Sequence, residues 1–348
     1  MRRVIGSLHA GACNFSRKTI TSVLVLLIAA NLASWLWTLA LFHAYPALLG
    51  TALLAYFLGL RHAFDADHIA AIDNMTRKLV QQGKRPIAAG LFFALGHSTV
   101  VVGLSLAIAL ATVPLQDHFE LFRSAGRLVG TFASSSFLLV VAVTNILVLM
   151  SIYQTILNMR KKARFDDGDL LHSPSSGGIL TTIFGSLFRL FDRSWQMYPL
   201  GILFGLGFDT ATEVGLLAIS ATQAAEGRSL SSILVFPALF TAGMTLMDTA
   251  DSILMVRAYS WALIDPIRKL YYNLTITAMS VIVAIVVAVL EILDLVGGRL
   301  DLSQGTGIWG QISSVNSRFG ELGLLIVATF GLAWLIAYAI QQARPLEK

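Results

Sequence analysis

The chain contains a succession of long apolar segments separated by short polar stretches. A helix of about 20 apolar residues is long enough to cross the hydrocarbon core of a bilayer. Because unpaired backbone groups are costly in lipid, such segments form helices and not isolated strands. The sequence therefore predicts an all-α polytopic membrane protein with about eight transmembrane helices. The predicted spans cover residues 20–42, 47–72, 86–113, 128–157, 197–222, 231–256, 271–293 and 320–342.

The composition supports this fold class. Charged residues make up 13% of the chain, about half of the roughly 25% found in soluble domains, and the mean hydropathy is +0.73. The net charge of +5 does not indicate nucleic-acid binding, because the basic residues fall in short groups between the apolar segments. The single cysteine, Cys13, excludes both an intrachain disulfide and a thiolate metal site within the membrane.

Lysine and arginine mark the predicted orientation. They concentrate in the N-terminal arm 1–18, in the stretch 73–86 and in the central loop 158–195, which are alternate connections of the predicted topology. Such an excess is typical of cytoplasmic loops. We therefore predict that both termini are cytoplasmic, and that the apolar run after the arm is an uncleaved first helix, since it is too long for a signal-peptide core.

The chain is predicted to consist of two halves. Residues 1–157 form the first transmembrane half, 158–195 a cytoplasmic linker loop, and 196–348 the second transmembrane half. The stretches Gly59–Asp65 and Gly205–Glu213 resemble each other, and the topology runs them in opposite directions. This predicts an inverted repeat of two four-helix halves, a common plan in transporters with a site near the membrane midplane.

The second predicted span contains an unusual group of ionisable residues. The stretch Arg61-His62-Ala63-Phe64-Asp65-Ala66-Asp67-His68 holds five such side chains within an apolar segment. Ionisable side chains at membrane depth are costly and mark substrate or ion pathways. Imidazole and carboxylate groups together form a ligand set suited to a divalent transition metal.

A straight helix cannot direct all of these groups toward one ion. At about 100° per residue, His62 and Asp65 share a face, whereas Asp67 and His68 point elsewhere. Either the helix unwinds here, which backbone lining a cavity tolerates, or the groups serve two sites. Gly59 favours a local break.

Other spans carry polar residues that are candidates for the same site. His97 lies in the third span beside Ser98 and Thr99. Asp209 and Glu213 are spaced i,i+4 in the fifth span, and Asp248 and Asp251 are spaced i,i+3 in the sixth, so each pair shares a helix face. No basic residue in their own spans compensates these carboxylates, which indicates a bound cation or a distant partner. Asp209 and Asp248 are the pair that the sequence favours as ligands.

Each of these residues also has a structural interpretation. Asp65 would pair with Arg61 one turn earlier. Asp73 would be an interfacial residue near a helix end, and a lone histidine such as His97 would be a hydrogen-bonded packing residue.

The motifs resemble those of the nickel/cobalt transporter family. The stretch Arg61–Ile69 is similar to the family signature of a histidine, four residues and Asp-His. Leu95–Val101, Leu206–Glu213 and Gly243–Asp251 match the other membrane motifs in order. The resemblance covers nearly the whole chain. It implies an eight-helix permease of the bacterial cytoplasmic membrane that takes up Ni²⁺, and in some members Co²⁺, for enzymes such as hydrogenase or urease.

The resemblance also implies that His62, Asp67 and His68 are central to transport. Asp65, His97 or a carboxylate of the second half would complete the coordination of the ion. The expected partners are the transported ion and the lipid bilayer, with no resident cofactor and no catalytic residues. No nucleotide-binding motif is present, so the membrane potential is the expected driving force.

Three other functions were weighed against uptake. An exporter on the same scaffold would be expected to carry a histidine-rich loop, but the central loop has only His172. An intramembrane metalloenzyme is a second alternative. A hydrolase would need a His-Glu-x-x-His motif, which the sequence lacks, and a histidine-box oxygenase would need many more ligands than the seven histidines of the chain. A metal receptor or structural subunit would not transport metal at all.

Overall fold

The protein is described here by a computed structural model. It describes residues 2–110, 116–161, 192–207, 210–262, 266–300, 307–316 and 318–343. Within these ranges the regular structure is helical and no strand occurs, which confirms the predicted all-α class. The helices are α1 (Arg2–Phe42), α2 (Pro46–His62), α3 (Ala66–Gln81), α4 (Ala89–Leu110), α5 (Gln116–Lys161), α6 (Met197–Gly205), α7 (Ala211–Ala225), α8 (Leu230–Ala262), α9 (Pro266–Arg299), α10 (Ile308–Asn316) and α11 (Phe319–Ala343).

The described helices confirm a multi-pass membrane protein. Five of them carry stretches that are long and apolar enough to cross a bilayer, and α2 with Ala66–Val80 of α3 makes a sixth if this bent pair counts as one broken span. In α11 the apolar stretch Phe319–Leu332 is shorter. The five stretches are Thr19–Phe42, Ala89–Leu110, Ser124–Leu147, Leu230–Tyr259 and Thr277–Arg299.

Two predicted spans are not continuous helices. The predicted span 47–72 is interrupted at residues 63–65, and the predicted span 197–222 is interrupted at 206–210, of which 208 and 209 lie outside the described residues. At the first break the backbone changes from the helical bond of Ala63 N–H to Gly59 O, 3.3 Å, to a tighter bond from Phe64 N–H to Arg61 O, 3.0 Å. Of the two alternatives left open by the helical spacing, the helix unwinds.

Two predicted connections between spans contain helix, and each is described only in part. The connection between the predicted spans 271–293 and 320–342 contains the end of α9 and all of α10. Helix α5 extends four residues into the predicted linker, and residues 162–191 of that linker lie outside the described part of the chain. The two-half organisation stays a prediction.

The described contacts group the chain into two compact units. The first comprises Met1–Phe64, Leu79–Gly130 and Arg193–Val256. Its core includes the fully buried Phe236 and Phe240 of α8, packed with small residues of α2 such as Ala55. Helices α2 and α8 touch through their backbones, because a Cβ on Gly59 would overlap the carbonyl of Phe240. Small residues at such seams are typical of helix packing in membranes.

The second unit comprises Asp65–Lys78, Thr131–Asp192 and Arg257–Lys348. It has an unusually polar interior, since Asp73, Asn74, Arg77 and Glu291 are all buried. Asp73 is only 1% exposed and lies in the middle of α3, so the predicted position near a helix end is wrong. Buried polar groups of this kind need hydrogen-bond partners, and the described residues supply several of them.

Candidate metal centre

Three metal-ligating side chains converge in the interior of the first unit. The Nε2 atoms of His62 and His97 lie 3.0 Å apart, and His97 Nε2 lies 2.8 Å from Oε1 of Glu213. The distance from His62 Nε2 to the same oxygen is 3.8 Å. All three side chains are buried. We call this group, His62, His97 and Glu213, the His–Glu centre.

The two helix breaks position two of its three members. His62 is the last residue of α2, directly before the interruption, and Glu213 lies in the first turn of α7, directly after the second interruption. Thr210 begins α7 as its N-cap, with extended backbone at φ −77° and ψ 143°, and its hydroxyl accepts from the Glu213 N–H at 3.4 Å. The spacing Thr-x-x-Glu is the signature of such a helix start.

Direct backbone contact between α4 and α6 positions the third member. A Cβ on Gly96 would overlap the carbonyl of Tyr198, and a Cβ on Gly201 would overlap the carbonyl of Phe93. A Cβ on Gly205 would lie 3.0 Å from the carbonyl oxygen of His97 itself. The glycines therefore allow α6 to pack closely against the turn of α4 that carries His97.

Two threonines contact the ligand side chains at the atoms that point away from the centre. Thr212 Oγ1 lies 3.0 Å from His62 Nδ1, and Thr210 Oγ1 donates to Glu213 Oε2 at 2.9 Å. A neutral imidazole carries its proton on only one nitrogen, so the hydrogen bond at Nδ1 bears on which of the two nitrogens is protonated. If Nδ1–H donates to Thr212, the lone pair of His62 Nε2 is directed at His97 and Glu213.

The geometry fits a divalent transition metal. Two ligand atoms at right angles around an ion, each about 2.1 Å away, stand about 3.0 Å apart. The 3.0 Å and 2.8 Å separations match this spacing. Two neutral imidazoles and one carboxylate also suit nickel, cobalt or zinc better than magnesium or calcium, which prefer oxygen ligands.

The rest of the predicted motif lies in the second unit. Asp65 and His68 are buried and Asp67 is half-buried. Asp67 Oδ1 accepts from the backbone N–H of His68 at 2.9 Å, which caps the first turn of α3. Whether these three side chains bind metal stays a prediction.

The remaining predicted ligands are Asp209, Asp248 and Asp251. Asp248 and Asp251 lie on α8, where Asp248 is buried and Asp251 is half-buried. The backbone of Asp248 packs against Gly90 of α4. Asp209 lies outside the described residues. The His–Glu centre as defined contains none of these three, and their role as ligands stays a prediction.

Comparison with known proteins identifies the family. A family model described as "High-affinity nickel-transport protein", NicO, matches residues 48–340. The chain belongs to the NicO family. The match includes every member of the His–Glu centre and all four motifs quoted above, so the family resemblance found in the sequence is confirmed.

Several relatives of this NicO chain are similar over most of its length. A "High-affinity nickel transport protein" of Cupriavidus necator is 48% identical over 99% of this chain and 97% of its own length. The "Hydrogenase nickel incorporation protein HupN" of Bradyrhizobium diazoefficiens is 50% identical over 90% of this chain and 82% of its own. The "Cobalt transport protein NhlF" of Rhodococcus rhodochrous is 42% identical over 87% and 85%. No solved structure matches this NicO chain.

Sequence reasoning missed the two threonines as partners of the centre. Thr210 and Thr212 were part of a quoted motif, but no role was predicted for either. The Thr-x-x-Glu spacing of Thr210 and Glu213 was the available signal, because it predicts that a helix begins inside the fifth span. No comparable local signal predicts the contact between Thr212 and His62, which are 150 residues apart.

Proposed function

We propose that this chain takes up Ni²⁺, and also Co²⁺, across the bacterial cytoplasmic membrane, with the His–Glu centre as part of the binding site. The observation that carries the proposal is the convergence of two imidazole nitrogens and one carboxylate oxygen within 3.8 Å in a buried, membrane-embedded unit. Family membership and the names of the nickel and cobalt relatives support the choice of ion.

The centre would exchange the hydration shell of the ion for protein ligands. His62 and His97 supply neutral nitrogen donors, and Glu213 supplies an oxygen donor with the negative charge that a buried dication needs. Thr212 holds His62 in the tautomer that presents Nε2, and Thr210 fixes Glu213 from the other side. Asp67 and His68, from the same sequence motif as His62, are proposed as further ligands, with Asp65, Asp209, Asp248 and Asp251 as candidates to complete the path.

The membrane potential would drive the uptake. An inward-negative potential contributes about 2.3 kcal/mol per charge per 100 mV, and about twice that for a dication. With both termini in the cytoplasm, the ion would enter from the outer side and be released inward to the assembly of nickel enzymes such as hydrogenase or urease. The chain acts as a permease in this proposal, not as an enzyme.

Uptake of radioactive metal tests the proposal. Cells that express the chain should accumulate ⁶³Ni and ⁵⁷Co from nanomolar solution, and His97→Ala and His68→Ala should each abolish nearly all of this uptake at normal membrane abundance. His43→Ala is the matched control, because His43 is exposed at the end of α1. Equal uptake by wild type and His97→Ala would contradict the proposed site.

The same assay decides direction and driving force. If the chain exported metal, expression would lower the cell content of ⁶³Ni and protect the cells from excess nickel. If uptake into vesicles continued unchanged after the membrane potential was collapsed, the proposed driving force would be wrong.

A further inference from the structure

Helix α3 carries several polar and charged side chains in a buried position. Residues 68–80 are all buried, yet this stretch contains Asp73, Asn74, Arg77 and Lys78. A buried polar side chain costs free energy unless hydrogen bonds replace its contacts with water. The partners of these side chains therefore determine how α3 is held.

Asp73 connects α3 to the C-terminal end of α8 and to α9, both through residues of the second unit. Its Oδ1 accepts from the hydroxyl of Tyr259 in α8, and its Oδ2 accepts from the hydroxyl of Ser280 in α9 at 2.8 Å. Both hydroxyl donors, Tyr259 and Ser280, are buried with it. Because each carboxylate oxygen already receives a hydroxyl hydrogen, and Arg77 lies one turn further along the same face, Asp73 is not arranged as a metal ligand.

Asn74 makes the corresponding connection to a third helix. Its Oδ1 accepts from Asn145 of α5 at 2.7 Å and from Nη2 of Arg77 at 3.1 Å, and its Nδ2 donates to the Ala70 carbonyl at 2.7 Å. The two neighbouring residues Asp73 and Asn74 thus join α3 by side-chain hydrogen bonds to α5, α8 and α9.

We propose that Asp73, with Tyr259 and Ser280, is a positioning device that fixes the axial position and rotation of α3, and through it the metal-binding residues Asp67 and His68. This inference rests on the proposed function only for the role of Asp67 and His68. Eight of the 16 residues of α3 are apolar and pack in the interior, but the buried polar side chains of the same helix must also meet specific partners. Hydrogen bonds as well as apolar packing therefore set the position of α3. A rotation of α3 by one residue would turn Asp67 and His68 by about 100°.

Kinetics of metal uptake test the device. Tyr259→Phe and Ser280→Ala each remove one hydroxyl and leave the backbone unchanged. Each should raise the KM for ⁶³Ni about threefold to tenfold at a membrane abundance within twofold of wild type, since residues that orient metal ligands typically contribute about tenfold or more to affinity. The double variant should raise the KM further.

Two matched controls distinguish the loss of a positioning hydrogen bond from the effect on packing of removing any hydroxyl group. Ser105 is as fully buried as Ser280, but its hydroxyl has no hydrogen-bond partner in the described structure, so Ser105→Ala should leave KM unchanged. Tyr153 is exposed, and Tyr153→Phe should likewise have no effect. If Tyr259→Phe and Ser280→Ala lowered only abundance or maximal rate, with KM unchanged, the positioning role would be overturned.

Amide hydrogen exchange of the purified protein tests the same device without metal. Tyr259→Phe should speed exchange in residues 66–78 relative to wild type and to Tyr153→Phe, and equal exchange would overturn the proposal. If wild-type cells took up no nickel, the proposed function would fail instead, and the exchange comparison would still decide whether Tyr259 holds α3.

Discussion

His97 Nε2 lies 2.8 Å from Glu213 Oε1, although 116 residues separate the two in the sequence. Each residue sits where it does for a different reason. His97 is held by glycine-mediated contact of α4 with α6, whereas Glu213 is held by the new helix start at Thr210. The pair thus joins two independent structural features, and each of them can be tested separately.

The charge of Glu213 should be required for metal affinity. Glu213→Gln keeps the shape and one carbonyl oxygen but removes the negative charge that faces both imidazoles. Since hydrogen bonds to charged groups contribute about 1.5–3 kcal/mol, we expect the KM for ⁶³Ni uptake to rise about tenfold to a hundredfold. Glu226→Gln is the control, because Glu226 lies exposed at the other end of α7. A wild-type KM for Glu213→Gln would contradict its role as a ligand.

The hydroxyl of Thr212 should matter more than its methyl group. Thr212→Val removes the hydrogen-bond partner of His62 Nδ1 at nearly the same volume, whereas Thr212→Ser retains it. We expect about a tenfold loss of affinity for the valine variant and near wild-type affinity for the serine variant. Thr222→Val, on the exposed side of the same helix, controls for helix propensity. Equal loss in the serine and valine variants would show that packing, not the tautomer, is the cause.

Two glycines of α4 should respond to alanine in opposite directions. Gly96→Ala places a methyl group against the backbone of Tyr198, so we expect destabilisation of about 1–3 kcal/mol. A Cβ on Gly103 meets nothing within 4 Å, so Gly103→Ala should stabilise the helix by about 0.5–1 kcal/mol. Thermal unfolding of the purified variants measures both. If both substitutions changed the free energy of unfolding in the same direction, the close approach of α4 and α6 would be contradicted.

Metal binding should stabilise the purified protein. A ligand at a hundred times its Kd adds about 2.7 kcal/mol to the free energy of unfolding. Ni²⁺ should therefore raise the Tm of wild type and of His43→Ala, whereas His62→Ala should lose most of this increase. Mg²⁺ at the same concentration should have little effect, because it prefers oxygen ligands. An equal nickel-induced increase in His62→Ala would mean that the metal binds elsewhere.

The sequence predicts the fold class well because the bilayer imposes one requirement on every span. A span must be long and apolar, and such stretches can be recognised directly in the sequence. The structure confirms that these stretches are helices, for example α4 and α8. The motif around His62 could also be recognised, because ionisable residues within an apolar segment are conspicuous. Both predictions depend on local composition alone.

The interruptions and the choice of carboxylate could not be predicted with equal success. The second break lies inside one long, mainly apolar segment, 197–222, and the local feature that accompanies it is the N-cap at Thr210. The preference for Asp209 and Asp248 stays a prediction, whereas the structure brings Glu213, also a predicted ligand, to His97. The partners of Asp73 could not be predicted, since Tyr259 and Ser280 lie about 190 and 210 residues away in sequence.

The contact of α4 with α6 leaves the outer faces of both helices available for spectroscopic probes. Leu95, beside Gly96, is 38% exposed, and Leu203 of α6 is 42% exposed. Since main-chain atoms set the spacing at this seam, exchanging these outer side chains should not displace His97. Cys13 is the only native thiol, so replacing it gives a cysteine-free background in which each helix can carry one label. The distance between the two labels should stay constant during transport, and movements of other helices can be measured relative to this pair.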